Sequence, residues 1–200
     1  MKTFYWILGV ILLAAVLGYV INRSSIISEQ TTTSPIPTNI PKNNYANKTL
    51  GISVNVPAGY TTDESYKYQM APRQTIPGVK FTIPAALAKG TNLSTDTYVS
   101  VEKLNDKSGC SADRFLDGSH NATIQTINGM NYSIASAEGA GAGNRYQETV
   151  YALQSNTCVA VRYFIHYSAF ENYPKGSIKE FDQAATLKSL DQIRDSLVII

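Results

Sequence analysis

An Asn-Gly dipeptide joins two runs of alternating character in the second half of the chain. Asn128-Gly129 separates ATIQTI, residues 122–127, from MNYSIASA, residues 130–137. Asn-Gly is the pair best suited to a type I′ turn, because both of its residues accept positive φ angles, and this turn joins neighbouring antiparallel strands. The dipeptide therefore predicts a β-hairpin formed by these two runs.

Two further runs continue this sheet. RYQETVYAL (145–153) and CVAVRYFIHY (158–167) are separated by four polar residues. Both are rich in the β-branched and aromatic residues that are frequent in strands. Together with the hairpin they predict a four-stranded antiparallel meander at the C-terminal side of the domain.

Alternation earlier in the chain predicts more strands. Residues 50–56 and 97–104 place apolar residues at every second position, and residues 60–70 contain a shorter run of the same kind. A strand over 79–83 has a proline on either side, which places it at a sheet edge because proline donates no hydrogen bond to a ladder. The sequence predicts about six strands in all.

A C-terminal helix is predicted to begin at Ser177, because Glu180 three positions later completes a capping box. Apolar residues then recur at intervals that fit one helix face: Ile178, Phe181, Ala185, Leu190, Ile193 and Leu197. Such a face needs a partner surface, which the strands provide. The predicted fold class is therefore α+β, an antiparallel sheet packed by a C-terminal helix.

The beginning of the chain predicts one transmembrane helix. Phe4 to Ile21 holds 18 residues without a charge. As a helix this run extends about 27 Å, close to the roughly 30 Å of a bilayer core. A cleaved signal peptide is the alternative, although Val20 to Arg23 contain no A-x-A-like cleavage site. We expect a signal anchor over residues 1–23 that binds the lipid bilayer.

A spacer follows the apolar segment. Residues 24–46 are rich in Ser, Thr, Pro and Asn, a composition that cannot bury enough apolar surface to fold. We therefore expect three parts: the anchor over 1–23, a disordered linker over 24–46 and a folded domain over 47–200.

The two cysteines, Cys110 and Cys158, bear on localisation. An even pair outside any C-x-x-C motif predicts one disulfide formed outside the cytoplasm; two unrelated buried thiols are the alternative. Lys2 and Arg23 flank the apolar segment too evenly to orient it by charge. The predicted disulfide therefore decides the orientation, and we expect a single-pass protein of the cell membrane with an extracytoplasmic domain.

Charge and motifs exclude several functions. The chain has 17 Lys and Arg and 15 Asp and Glu, so that without Lys2 and Arg23 the counts are equal at 15 and 15. Nucleic-acid binders concentrate basic residues to displace counterions from phosphate, so no nucleic-acid partner is expected. The histidines, His120 and His166, have no metal-ligand spacing, and no nucleophile motif occurs. The sequence predicts no metal, cofactor or catalytic residue.

Three glycines, Gly139, Gly141 and Gly143, raise the question of phosphate binding. A dinucleotide fingerprint needs glycine at its first, third and sixth positions before a helix. The sixth position here is Asn144, and a strand-like run follows it. The absence of a following Gly-Lys-Ser/Thr excludes a P-loop. We expect a long, mobile hairpin loop that at most forms the lip of a pocket.

One face of the last hairpin carries the candidate ligand site. A turn at Ser155-Asn156 places five residues on that face: Arg145, Tyr151, Arg162, Phe164 and His166. Its basic groups would surround an anion between aromatic walls. The alternative is a solvated sheet face with an arginine stacked on a ring. The same turn places Glu148 among apolar residues on the opposite, core-facing side.

The segments LGISVNVPAGY (50–60) and EFDQAATLKSLDQIRDSLVI (180–199) resemble those of PsbP-like domains, which begin with a strand and a Y-P-x-G-W-like turn and close with a helix. Tyr60 stands where that pattern has Trp. The meander segments are also similar to small membrane-anchored bacterial domains of unknown function. The resemblance implies an antiparallel sheet flanked by helices and a binding or assembly role, and it carries over no catalytic residue.

These features suggest two functions from different classes. The first is a membrane-tethered extracytoplasmic module that binds a protein or envelope component. The second is a small hydrolase or ligand-sensing domain that uses the face of Arg162 and His166. An anchored pseudopilin-like assembly subunit is a third, although the apolar segment lacks the early Glu of pilin leaders.

Overall fold

The computed structural model describes residues 42–71, 74–105, 109–153 and 157–200, all within the unit Ile40–Ile200. The predicted anchor, most of the predicted linker and the predicted turn at Ser155-Asn156 lie outside the described residues. Within the described ranges, no helix is both long and apolar enough to cross a bilayer.

The described residues form eleven strands and two α-helices. The strands are β1 (Lys42–Asn47), β2 (Ile52–Pro57), β3 (Thr61–Asp63), β4 (Lys67–Ala71), β5 (Gln74–Thr82), β6 (Tyr98–Leu104), β7 (Thr123–Ile127), β8 (Met130–Gly141), β9 (Asn144–Leu153), β10 (Cys158–Ser168) and β11 (Val198–Ile199). The helices are α1 (Ala85–Ala88) and α2 (Gln183–Arg194), and 3₁₀ turns cover Ala112–Phe115 and Phe170–Asn172.

The strands form two antiparallel sheets. The small sheet has the order β1-β2-β11, and the large sheet has the order β3-β5-β6-β10-β9-β8-β7, with β4 paired to β5. The predicted meander is confirmed, since β7 to β10 are consecutive neighbours in the large sheet. Its first turn is also as predicted: Ile127 pairs with Met130, and both Asn128 and Gly129 have positive φ angles.

The fold has more strands than the six predicted, and β5 is not at an edge. β5 pairs with β6 on one side and with β3 and β4 on the other. Its pairing with β6 begins at Gly78, so the missing N–H of Pro77 removes no bond from that ladder. The rule that prolines mark an edge strand fails here because Pro77 lies just before the shared part of the two strands.

The main core lies between one face of the large sheet and a second layer made of the small sheet and α2. Alternate residues of the strands and one side of α2 fill it, among them Ile52, Val54, Val56, Val99, Val101, Val159, Val161, Leu190 and Ile193. β1 belongs to this layer, because Tyr45 packs edge-on against Phe81 with ring centroids 5.4 Å apart. Residues 42–46 are therefore part of the folded domain and not of the linker.

Helix α2 begins later than the capping box at Ser177 predicts. The N-cap is Asp182, whose Oδ1 accepts a hydrogen bond of 2.9 Å from the backbone N of Ala185. Three residues before it, Lys179 forms an isolated strand-like bridge, with backbone hydrogen bonds to Gly90 and Asn92. A strand-like contact thus takes the backbone groups that a helix starting at Ser177 would use. At its other end, α2 stops at Arg194, and the chain continues into β11.

The opposite face of the large sheet is covered at one end by residues 109–116. The predicted disulfide between Cys110 and Cys158 is present and ties this segment to β10. A second apolar cluster is buried beneath the segment, including Phe115, Val150 and Ala160. Disulfides are typical of domains outside the cytoplasm.

The corrected helix start gives a first prediction. Replacing the N-cap, Asp182→Ala, leaves an orphan backbone N–H and should lower the free energy of unfolding by about 1 kcal/mol. Ser177→Ala is the matched control and should change it by no more than a few tenths of a kcal/mol, because Ser177 caps no helix. Urea unfolding followed by circular dichroism measures both, and a larger loss for Ser177→Ala would contradict the observed start.

Candidate functional site

The pairing of the last two strands differs by one residue from the predicted hairpin. Val159 pairs with Leu153, and Arg162 pairs with Val150, so the connection between the strands is one residue longer than a turn centred on Ser155-Asn156 allows. A shift of one residue turns every side chain of a strand to the other face. As a result, Arg145 and Tyr151 lie on the face opposite to Arg162.

The observed register places Tyr151 in the core and Glu148 beside a cation, whereas the predicted register would exchange the faces on which they lie. Tyr151 is on the core side, where its ring lies 5.0 Å from that of Tyr163. Glu148 is on the side of Arg162 and forms an ion pair with it. The predicted register would have buried this carboxylate in the apolar core without a cation, which is costly.

Arg162 has no exposed side-chain surface and forms four hydrogen bonds. Its Nε and Nη2 donate to the two carboxylate oxygens of Glu102 at 2.8 and 2.9 Å, a bidentate pair. Nη1 donates to Glu148, and Nη2 also donates to the carbonyl oxygen of Phe115. The guanidinium therefore links β6, β9, β10 and the segment that the disulfide holds.

Neutral groups complete this charge cluster. The Tyr68 ring covers the guanidinium, with its centroid 3.4 Å from the Cζ of Arg162, and the Tyr68 hydroxyl donates to Glu148 at 3.1 Å. The hydroxyl of Ser100 donates to Glu102 at 2.7 Å. Gly78 packs so closely beside Glu102 that a Cβ at residue 78 would lie 2.6 Å from the carbonyl oxygen of Val101.

Burial and ion pairing shift the pKa values of Tyr66, Tyr68 and Arg162. Burial raises the pKa of Tyr68 to about 12 and also raises that of Tyr66, whose hydroxyl donates to Glu102 at 3.3 Å. Burial alone would lower the pKa of Arg162, but the hydrogen bonds and charge of Glu102 outweigh it and raise the pKa. Both carboxylates of the cluster, Glu102 and Glu148, pair with the same guanidinium. The cation is sealed, so the anion pocket predicted around Arg145, Arg162 and His166 is not formed.

Beyond the cluster, the same face carries a row of aromatic rings, here called the aromatic row: Tyr98, Phe164, Tyr146 and His166. Tyr98 stacks on Phe164 with centroids 4.9 Å apart and planes 21° from parallel. Tyr146 stacks on His166 at 4.6 Å and 22°. Phe164 and Tyr146 connect the two pairs at 6.0 Å. All four rings are partly exposed.

The row follows from cross-strand pairing. Phe164 of β10 pairs with Tyr98 of β6, and His166 pairs with Tyr146 of β9. Side chains opposite each other in an antiparallel pair lie close enough to stack. The sequence analysis identified Phe164 and His166 but missed Tyr98 and Tyr146, because the one-residue error in register assigned Tyr146 to the core.

Charged groups lie at both ends of the row. At one end, Nδ1 of His166 lies 2.8 Å from Oδ1 of Asp96, whose side chain is 63 % exposed. The Nε2 of His166 is buried and has no hydrogen-bond partner among the described residues. At the other end, Nζ of Lys80 lies 5.8 Å from the ring centroid of Tyr98. Nζ of Lys80 also pairs with Asp63 at 3.4 Å, so this ion pair lies at one end of the row and the pair of His166 and Asp96 lies at the other.

The glycine-rich stretch is not the long loop that was predicted. Gly139 and Gly141 lie within β8, and the turn to β9 consists of Ala142 and Gly143, both with positive φ angles. The carbonyl oxygen of Gly143 accepts bonds from the backbone N of Ala169 at 2.7 Å and from Nδ2 of Asn172 at 2.9 Å. This short, anchored turn forms no phosphate cradle.

Among the described residues, no group of three or more His, Cys, Asp and Glu side chains is placed to hold a metal ion. Nε2 of His120 donates a local hydrogen bond of 2.7 Å to the carbonyl oxygen of Asp117. The chemistry that the face offers is therefore that of aromatic rings with charges at either end.

No protein-family model and no curated protein matches the chain. Several solved structures are similar to it, including the following two. One is the solution structure of the cyanobacterial PsbP protein CyanoP from Synechocystis sp. PCC 6803, at 15 % identity and a TM-score of 0.44, which covers 81 % of this chain and 94 % of that one. It is a PsbP protein, the family to which the sequence resemblance pointed.

The other is a crystal structure of a Bacteroides thetaiotaomicron VPI-5482 protein, at 11 % identity and a TM-score of 0.44, which covers 78 % of this chain. This chain spans about half, 48 %, of the Bacteroides protein's length.

The charge cluster gives a second prediction. Arg162→Met leaves Glu102 buried without its cation and should lower the free energy of unfolding by about 3–5 kcal/mol. Adding Glu102→Gln removes that charge and should restore part of the loss, because the two residues act as a pair. Urea unfolding of the two single variants and the double variant measures the coupling. Purely additive losses would contradict the paired burial.

Proposed function

We propose that this chain is a membrane-tethered extracytoplasmic module that binds another protein through the aromatic row. The observation that supports it most directly is the row itself: four partly exposed rings standing side by side on a sheet, with Lys80 at one end and Asp96 at the other. Aromatic side chains on a rigid support are typical anchors of protein interfaces.

The stacking favours a protein partner over a sugar. A sugar ring packs on an open aromatic face, but stacking already covers one face of each ring in the pairs Tyr98–Phe164 and Tyr146–His166. What such a row presents outward is ring edges, which carry partial positive charge. Ring edges suit the apolar side chains and carbonyl groups of a protein.

The charge cluster supports this function by fixing the strands that carry the row. Arg162 lies two residues before Phe164 on β10, and its bonds reach Glu102 on β6 and Glu148 on β9. These are the three strands that carry the row. A surface fixed in this way loses little conformational freedom when a partner binds, which favours affinity.

The hydrolase alternative has less support. It needs a nucleophile or water beside a base, and His166 with Asp96 would be that base. However, no described hydroxyl or thiol bonds to Nε2 of His166, and four of the five N–H donors of Arg162 already bond to protein groups. Both groups are better explained as parts of the row and of its support.

The membrane anchor is tested by fractionation. The full chain should stay in the membrane pellet after washing with high salt and dissolve on addition of detergent, because Phe4–Ile21 would lie in the bilayer. Leu12→Arg with Val16→Arg is the control, since each charge costs about 3 kcal/mol at the centre of a membrane helix. Recovery of the unaltered chain in the salt-washed soluble fraction would contradict the anchor.

The binding surface is tested by photo-crosslinking in intact cells. A photoreactive phenylalanine analogue at Tyr146, within the row, should give a discrete adduct with a partner protein. The same analogue at Arg145 is the matched control, because this neighbour is exposed on the opposite face of the same strand. The adduct at Tyr146 should disappear when Phe164 is changed to Ser. Equal adducts at both positions, or an adduct at Arg145 alone, would rule out the row as the interface.

A further inference from the structure

The last strand of the large sheet, β7, has an open edge. It pairs with β8 on one side, and no strand lies on its other side among the described residues. Its first four residues are exposed, and Ile124 is 62 % exposed. An edge of this kind presents unpaired backbone groups that are able to pair with another chain.

The hairpin geometry shows which backbone groups are open. In a two-residue type I′ hairpin the residues next to the turn, here Ile127 and Met130, exchange both backbone hydrogen bonds, and this pattern alternates along the strand. The groups of Thr123 and Gln125 therefore point to β8. The N–H and C=O of Ile124 and Thr126 point outward, so that two residues of β7 offer two donors and two acceptors.

The edge lacks the usual protection against strand pairing. Proteins guard open edges with charged residues or proline, yet residues 121–131 contain neither. At the far side of the same sheet, the short strands β3 and β4 carry Asp63 and Lys67. The two edges of the sheet thus differ in charge, and the uncharged β7 edge is suited to pairing with an uncharged, extended partner.

We propose that β7 pairs with β7 of a second copy of this chain, antiparallel about Gln125. This register places the outward groups of Ile124 opposite those of Thr126 in the partner copy and completes two pairs of backbone hydrogen bonds. Thr123 then faces Ile127, and Gln125 faces its own equivalent. No charge is opposed by a like charge, and each β-branched side chain meets another.

The symmetry of this pairing has a consequence for the molecule. A two-fold axis perpendicular to the sheets makes one continuous sheet from two large sheets and puts both aromatic rows on the same side. The interface itself is small, because a five-residue edge buries less than the roughly 1,000 Å² of a stable complex. The pairing therefore depends on high local concentration, and it must be measured in cells. It requires neither the aromatic row nor its partner.

Cysteine crosslinking of the full chain in intact cells tests the pairing. Gln125→Cys places two thiols on directly opposed residues with Cβ atoms about 5 Å apart, within reach of a disulfide after slight adjustment. Thr123→Cys is the matched control, exposed on the same side of the same strand, but its two copies would lie about 14 Å apart. After mild oxidation, non-reducing electrophoresis should show at least roughly tenfold more dimer for Gln125→Cys.

A third variant separates strand pairing from random collision. Ile124→Lys in the Gln125→Cys chain adds an edge charge that opposes pairing and should abolish the dimer. Because Ile124 is mostly exposed, this change should leave the fold intact, which an unchanged midpoint of urea unfolding of the purified chain would confirm. Equal dimer at residues 123 and 125, dimer unaffected by Ile124→Lys, or no dimer at Gln125 would each overturn the proposal.

Discussion

The face of the large sheet opposite to the main core depends on the ion pairs and hydrogen bonds of one buried group, the guanidinium of Arg162. An arginine with no exposed side-chain surface is tolerated only when its donors are used, and here two carboxylates and a backbone carbonyl accept from it. These partners come from β6, β9 and the segment before β7. One side chain therefore fixes the relative positions of three strands and of the segment that covers them, and any change in register would leave charges unpaired in the interior.

β10 shows how one strand serves different purposes along its length. Five of its residues lie on the face opposite to the main core. They are, in order, Cys158 in the disulfide, Ala160 in the second apolar cluster, Arg162 in the charge cluster, and Phe164 and His166 in the aromatic row. The opposite residues of the strand are uniformly apolar or aromatic and belong to the main core. Alternation with a period of two lets one strand contribute to the interior and to a surface at once.

The parts of the fold that local chemistry determines were predictable from the sequence. Asn128-Gly129 fixed the first hairpin, and the alternating runs gave the meander. The register of the last hairpin was not predictable, because the polar connection after Leu153 contains no glycine or proline to select a turn. That register depends on the tertiary pairing of Glu148 with Arg162. The start of α2 was missed for a related reason: the contact of Lys179 with the distant residues Gly90 and Asn92 overrides the capping signal at Ser177.

The two hairpin tips of the meander differ in how much added volume they can accommodate. The turn at Ala142-Gly143 is fastened to Ala169 and Asn172, and a Cβ on Gly143 would collide with the Asn172 amide. The turn at Asn128-Gly129 is exposed, with no atom within 4 Å of a Cβ built on Gly129. The tip at Asn128-Gly129 is therefore the better place for an epitope or fluorescent label, because an added group there meets no other described part of the domain.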